Sequence, residues 1–158
     1  MAEAHKPPTF GSSVYYEDPM AALEWLERAF GFERSMVIVD GDGNLAHSEM
    51  TFGDGYIMVG KPWADFIAAP GQVGGKNTQM VHVHVASDID ALCERARAAG
   101  AIIKMECEDQ FYGDRTFRCV DPGGHTWNFA QTVQKLSVEE WDKASGGLKT
   151  TLGPGWKG

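Results

Sequence analysis

The sequence predicts an α+β fold made of two successive β-α-β-β-β modules in one domain. Three observations carry this. The order strand, helix, strand, strand, strand occurs twice along the 158 residues. Leu23 and Leu92, Ala29 and Ala98, Gly31 and Gly100, and Gly55 and Gly124 each lie 69 positions apart. Short glycine turns separate the apolar runs in both halves. Two copies are too few for a solenoid, so the halves are expected to bury their apolar faces jointly.

The first module is expected over about residues 9–61. Ser12 to Glu17 opens it as a strand. Asp18-Pro19 then supplies an N-cap carboxylate and a proline at the first helical position. Ala22, Leu23, Leu26, Ala29 and Phe30 follow at three-to-four spacing, the stripe of a helix packed on one side. Gly31 suits the left-handed residue that ends helices. "RSMVIVD", "LAHSEMTFG" and "YIMVG" then read as three strands joined at "DGDGN" and "GDG". "DGDGN" lacks the later glutamate of a calcium loop, and no GxGxxG leads from a strand into a helix, so a hairpin is expected there.

A Pro- and Gly-rich linker spans residues 62–77, and the second module spans about 78–133. Its strand "QMVHVHV" leads to the helix "DIDALCERARAAG" and to the strands "AIIKMEC", "RTFRCVD" and "HTWNFAQ", the last two joined at "PGG". Residues 134–158 hold Ser137 and Glu140 at capping-box spacing, which marks a short helix before a glycine-rich tail. Trp141 and Trp156 of that segment are candidates to cover part of the main fold.

Fourteen Lys and Arg against twenty-two Asp and Glu give a net charge of −8. Such a surface repels a phosphate backbone or an anionic lipid layer, so neither nucleic acid nor membrane is an expected partner. No apolar run reaches a membrane span, and "MAEAHKPPTF" lacks the apolar core of a secretory signal, so a cytoplasmic location is expected. Cys93, Cys107 and Cys119 are odd in number and show no CxxC spacing; reduced, buried thiols are the expected state.

The paired order, "VYYEDPMAALEWLERAFGF" in one half and "YGDR" with "DPGGHTW" in the other, resembles the vicinal oxygen chelate superfamily. Within it the chain is most similar to the glyoxalase/bleomycin-resistance-like branch. The resemblance covers about residues 9–133 and implies strands that curl into a cup, helices on its convex side, a ligand inside, and a homodimer. Members include isomerases, ring-cleaving dioxygenases, thiol transferases and non-catalytic drug binders, so the fold leaves the chemistry open.

Strand parity selects the residues that would face such a cup, because neighbours on a strand point to opposite sides. Val81, Val83 and Val85 form an apolar face, leaving Met80, His82 and His84 for the cup. Gly11, Ser13 and Tyr15 match them in the first half. His47, Glu49 and Thr51 alternate with Met50 and Phe52; Thr116, Arg118 and Val120 alternate with Phe117 and Cys119; Thr126, Asn128 and Ala130 alternate with Trp127 and Phe129. Glu49 and Arg118 thus occupy equivalent places. The expected ligand-binding set is Tyr15, His47, Glu49, His82, His84, Arg118 and Asn128.

The resemblance also implies where a metal would sit: on a His or Gln early in each module and a Glu in each module's last strand. Gly11, Met80, Val59 and Asn128 hold those places here, and none is a strong ligand for a divalent cation. No cofactor and no metal in the usual site are therefore expected. His82 and His84, two residues apart, suit pocket lining, a non-standard metal site helped by His47 or Glu49, or a structural role. His125 after "DPGG" reads as a turn-stabilising residue, Arg115 as an ion-pairing partner of Asp114 or Asp121 or an anion ligand, and Trp63 as a lid or a packing residue. Two functions follow. One is metal-independent sequestration of a small organic molecule, neutral or cationic, as in antibiotic-sequestering relatives of this kind. The other is a lyase or isomerase in which His82 or His84 acts as base near Glu49. Whether the protein is an enzyme stays open at this stage.

Overall fold

The computed structural model describes residues 7–157; the first six residues of the "MAEAHKPPTF" stretch lie outside them. In chain order the elements are β1 (Ser12–Tyr15), α1 (Pro19–Phe30), β2 (Glu33–Val39), β3 (Leu45–Phe52) and β4 (Gly55–Gly60). The second half holds β5 (Val81–His84), α2 (Ile89–Ala98), β6 (Ile102–Asp109), β7 (Asp114–Val120) and β8 (Thr126–Thr132), followed by α3 (Val138–Ala144). The linker adds one 3-10 turn at Pro70–Val73. The sheets share one topology, β1-β4-β3-β2 and β5-β8-β7-β6, with β1 parallel to β4 and β5 parallel to β8. The duplication is thus an architectural one.

Local chemistry sets the element ends. Asp18 caps α1 by accepting from the Ala21 N–H at 3.1 Å, and Gly31 closes it at φ 75°. Ser137 and Glu140 form a reciprocal capping box on α3. The start of α2 is different. Asp88 sits at φ 59° and makes no side-chain cap; the side chain of Gln131, on β8, accepts from the Ile89 N–H at 3.0 Å instead. Asp40 accepts from the backbone of Asp42 and Asn44, both at 2.9 Å, which fixes the hairpin between β2 and β3.

One apolar core serves both halves. Phe30 of α1 meets Phe129 and Trp127 of β8 with ring centroids 4.7 and 5.3 Å away. The two helices clasp each other: Trp25 donates to the Ala99 carbonyl at 2.7 Å, and the Arg95 guanidinium donates to the carbonyls of Arg28 and Glu27 at the C-terminal end of α1. A cation at that end also suits the helix dipole. Cys93 and Cys119 are buried in this core and Cys107 borders it; loss of hydration pushes the thiols of Cys107 and Cys119 up to about 12, so they stay protonated.

β1 lies along the ends of the second sheet. Gln79, just before β5, donates to Ser12 Oγ at 2.8 Å, and His125, just before β8, donates from Nε2 to the Tyr15 carbonyl at 2.6 Å. Tyr16 reaches the β7–β8 turn, where its hydroxyl donates to Asp121 Oδ2 at 2.5 Å. The same carboxylate accepts from Trp127 Nε1 at 2.9 Å and from the His125 backbone N–H at 3.0 Å. Burial, then the adjacent Asp121 charge, raises the Tyr16 hydroxyl well above its usual range and keeps it a donor. A Cβ on Gly123 would fall 2.3 Å from the Tyr16 ring, so only glycine lets the turn close over that ring.

Two expectations need correction. The strands do not curl within the chain: both sheets stay open, and among the described residues no ladder pairs a strand of one with a strand of the other. The reason is the crossing just described, which sets the edge strand β1 against strand ends rather than alongside another edge. Val59 does not occupy a cup position either. It is a core residue, 1% exposed, and Met58 takes the outward place. The β7–β8 connection between Val120 and Thr126 is one residue longer than the β3–β4 connection between Thr51 and Tyr56, so the 69-residue offset becomes 70 beyond the turn. A slip of one residue exchanges the two faces of a strand.

Asp121→Ala leaves a buried hydroxyl and a buried indole N–H without an acceptor and should cost about 3 kcal/mol, whereas Tyr16→Phe removes one of three donors and should cost about 1 kcal/mol. Urea unfolding of the two variants tests this; equal and small losses would mean that Asp121 does not clamp the modules together.

Candidate functional site

Each open sheet has one face on the helices and one face free of them. On the first sheet Val14, Ser48, Met50 and Val59 are buried, which turns Ser13, Tyr15, His47, Glu49 and Met58 outward. Ser13 stands beside Met58, and Met58 beside Glu49. His47 Nε2 lies 3.1 Å from Glu49 Oε1. The Trp63 indole donates to the Tyr15 hydroxyl at 3.4 Å, placing the linker aromatic at the rim of a cavity of about 400 Å³ that Ser13, Tyr15, His47 and Met58 line. This side of the molecule combines an aromatic wall with one carboxylate.

On the second sheet Phe117, Cys119, Trp127 and Phe129 are fully buried, and His82, His84, Arg118 and Asn128 occupy the opposite face. Thr116, Asn128 and Ala130 share that face but are themselves buried, with Gln110 donating to Thr116 Oγ1 at 3.0 Å and the Asn128 amide lying between Arg118 and His82, so the groups left to a ligand there are those of His82, His84 and Arg118. Hydrogen bonds set the roles of the imidazoles. Arg118 carries only donors, and its Nη2 lies 3.4 Å from Asn128 Oδ1; the Asn128 amide NH₂ therefore faces His82 Nδ1, 2.9 Å away. His82 Nδ1 accepts, and the proton of the neutral ring sits on Nε2, free to donate. His84 is the converse. The Thr132 hydroxyl donates to Asp114 Oδ1 at 2.8 Å, so it accepts from His84 Nε2 at 3.0 Å and leaves His84 Nδ1 free to accept. Adjacent positions on one strand face thus offer a ligand one donor and one acceptor.

The expected binding residues fall into two sets. Tyr15, His47 and Glu49 lie on the first sheet, and His82, His84, Arg118 and Asn128 on the second. Among the described residues no hydrogen bond or ion pair joins the sets, and no three His, Cys, Asp or Glu side chains converge as metal ligands do. A crevice of about 200 Å³ lies between the β3–β4 turn, with Asp54 and Tyr56, and the β5 residues His82 and His84. The outward cross-strand pairs, Ser13 with Met58 and His82 with Asn128, are a poor donor set for a divalent cation. They offer one imidazole, whose Nδ1 is occupied by an amide, and no carboxylate.

Other residues that the sequence singled out have local tasks. Arg115 holds Asp90 in a bidentate pair at 2.7 and 2.9 Å and reaches Asp109 at 2.9 Å, neither of the partners that its neighbours in the chain had offered. The ring of His125 bonds across the modules rather than within its own turn. Trp141 and Trp156 pack on one another with centroids 5.6 Å apart. Sequence reasoning missed Thr132 and the role of Asp114, because a threonine and a carboxylate at two strand ends become a relay to His84 only when β5, β8 and β7 are laid side by side.

Two β-α-β-β-β modules with polar, helix-free sheet faces define the class of fold to which this chain conforms. The family model described as Glyoxalase/Bleomycin resistance protein/Dioxygenase superfamily matches residues 10–129, and the chain belongs to that superfamily. The crystal structure of TioX from Micromonospora is 31% identical and superposes with a TM-score of 0.64 over 79% of this chain and 98% of that one. TnmS3 from Streptomyces, described as an antibiotic binding protein, shares the fold at 17% identity, with a TM-score of 0.60 over 84% and 98% of the two chains. An uncharacterized protein of Mycobacterium tuberculosis is 28% identical over 137 residues, 84% of this chain and 79% of its own length.

Nitrogen-15 NMR of the histidine rings should report the Nε2–H tautomer for both His82 and His84, with a hydrogen-bonded Nδ1 only in His82. Thr132→Val should change the His84 pattern alone. An Nδ1–H tautomer at His82 would sink the assignment.

Proposed function

We propose that the protein binds a small organic molecule, neutral or cationic overall, on these sheet faces without a metal ion, and acts by sequestering it in the cytoplasm. The observation that carries this reading is the outward cross-strand chemistry: Ser13 with Met58 and His82 with Asn128, paired side chains suited to hydrogen bonding and van der Waals contact but not to a divalent cation. Tyr15 and Trp63 add aromatic surface, His82, His84 and Arg118 supply directional groups, and the buried Asn128 orients two of them. The net charge of −8 favours a ligand that is not polyanionic. The description of TnmS3 as an antibiotic binding protein agrees with this reading.

A homodimer completes the proposal. The two residue sets lie on separate open sheets of one chain, and a second copy would bring a first sheet opposite a second one. The whole of β2 is exposed, and its Met36 and Ile38 stand beside Glu49 and His47, on the ligand side. A second reading, an acid-base enzyme, draws on the free Nδ1 of His84 behind the Thr132–Asp114 relay. Its expected helper, Glu49, bonds to His47 on the other sheet.

Thermal denaturation in EDTA against a panel of natural-product antibiotics should find a ligand that adds about 2.7 kcal/mol at a hundred times its Kd and is recovered unchanged by mass spectrometry. Binding that vanishes in EDTA and returns with a divalent ion, or a ligand recovered as a new product, would reject sequestration. Light scattering should give twice the monomer mass for the wild type and a shift towards monomer for Ile38→Lys; an unaltered mass in that variant would remove β2 from the interface.

A further inference from the structure

Arg118 differs from the other arginines that organise this fold. Arg34 pairs with Glu27, Arg97 with Glu94 and Glu106, and Arg115 with Asp90 and Asp109, while Arg95 is absorbed by helix-end carbonyls. Arg118 has no carboxylate partner among the described residues, although the chain holds twenty-two acidic side chains. Its Nε is buried with no hydrogen-bond partner, and its one contact, to Asn128, is long at 3.4 Å. A guanidinium half removed from water and left without an acceptor is costly to fold around. Two further donors stand near it. His82 presents Nε2–H from the same sheet face, because Asn128 occupies its other nitrogen. Tyr112 lies close enough for the Arg118 charge to oppose the rise in its hydroxyl pKa that burial and Asp114 produce.

We infer that Arg118, with His82 Nε2–H on the far side of Asn128 on the same sheet face, forms an oxyanion subsite that takes a carboxylate or an ionised phenol or enol of the bound molecule. This deepens the proposed function and rests on it. The overall charge disfavours polyanions, so the ligand that fits is a neutral or zwitterionic molecule with one acidic oxygen, held at that oxygen by the second sheet. The subsite accounts for the missing acceptor: the ligand brings it.

The probe is 4-nitrophenol, whose ionised form is yellow, with 4-nitroanisole as the match that cannot ionise. Both are titrated into the full chain in EDTA. The wild type should bind the phenolate about tenfold or more tighter than the anisole, the margin of a charge-assisted hydrogen bond, and should raise the yellow fraction at a pH where the free phenol is mostly neutral. Arg118→Met should bind both probes alike and produce no extra colour, and Arg118→Lys should restore part of the preference. Unfolding midpoints of the unliganded variants separate a binding role from a structural one: Arg118→Met should be at least as stable as the wild type, because it removes an uncompensated charge. A less stable Arg118→Met, a loss of dimer mass in it, or equal binding of the two probes by the wild type would overturn the subsite. Equal binding would leave the binding function standing, whereas no binding of either probe at millimolar concentration would reject both.

Discussion

The Asp121 carboxylate, buried between Tyr16, Trp127 and the backbone of His125, is the constraint that ties the two modules into one molecule. Each module alone has a helix stripe and a sheet face to bury, and apolar contact sets no angle between them because it is not directional. The carboxylate does. It accepts a hydroxyl from the end of β1 and an indole from β8 on the same oxygen, so the edge strand of the first sheet must cross the strand ends of the second. The crossing is reinforced at both ends of β1, by Gln79 on Ser12 and by His125 on the Tyr15 carbonyl. With the sheets held in this way the helices clasp behind them, and both polar faces stay open.

Much of the fold is legible in the residues because the signals are local. Asp18-Pro19, the three-to-four stripe ending at Gly31, and the Asp40 turn each carry their own physics within a few positions, and each appears in place. The alternation on β5 is equally local. What the residues do not disclose is relational. Whether Asp88 or a distant Gln131 caps α2 depends on β8 lying beside the helix start. Asp121 looks like any Asp-Pro-Gly-Gly turn residue until β1 is brought to it. Val59 differs from its expected place for a sharper reason: the β7–β8 connection is one residue longer than the β3–β4 connection, and strand parity turns one residue into the opposite face.

The candidate site follows the same division. Parity alone separates His82, His84, Arg118 and Asn128 from the core beneath them, since Trp127, Phe129, Phe117 and Cys119 leave no exposed surface. The proton positions need the neighbours. Asp114 forces the Thr132 hydroxyl to accept from His84, and Arg118 forces the Asn128 amide towards His82. Two imidazoles alike in sequence are thereby made unlike in chemistry, one a donor and the other an acceptor.

The repeated topology sharpens this contrast. Glu49 and Arg118 hold equivalent places in the two sheets, beside Met58 and Asn128 respectively, so one position carries an anion in one half and a cation in the other. Glu49 keeps a local partner in His47, while Arg118 is left with a buried, unmatched Nε. Stability alone would not retain that arrangement, because a methionine of similar length would fill the space without a desolvated charge. A face that holds spare donors over a well-packed layer of aromatic side chains is organised for something that arrives from outside the chain, and the rigidity of that layer keeps the donors in place before it does.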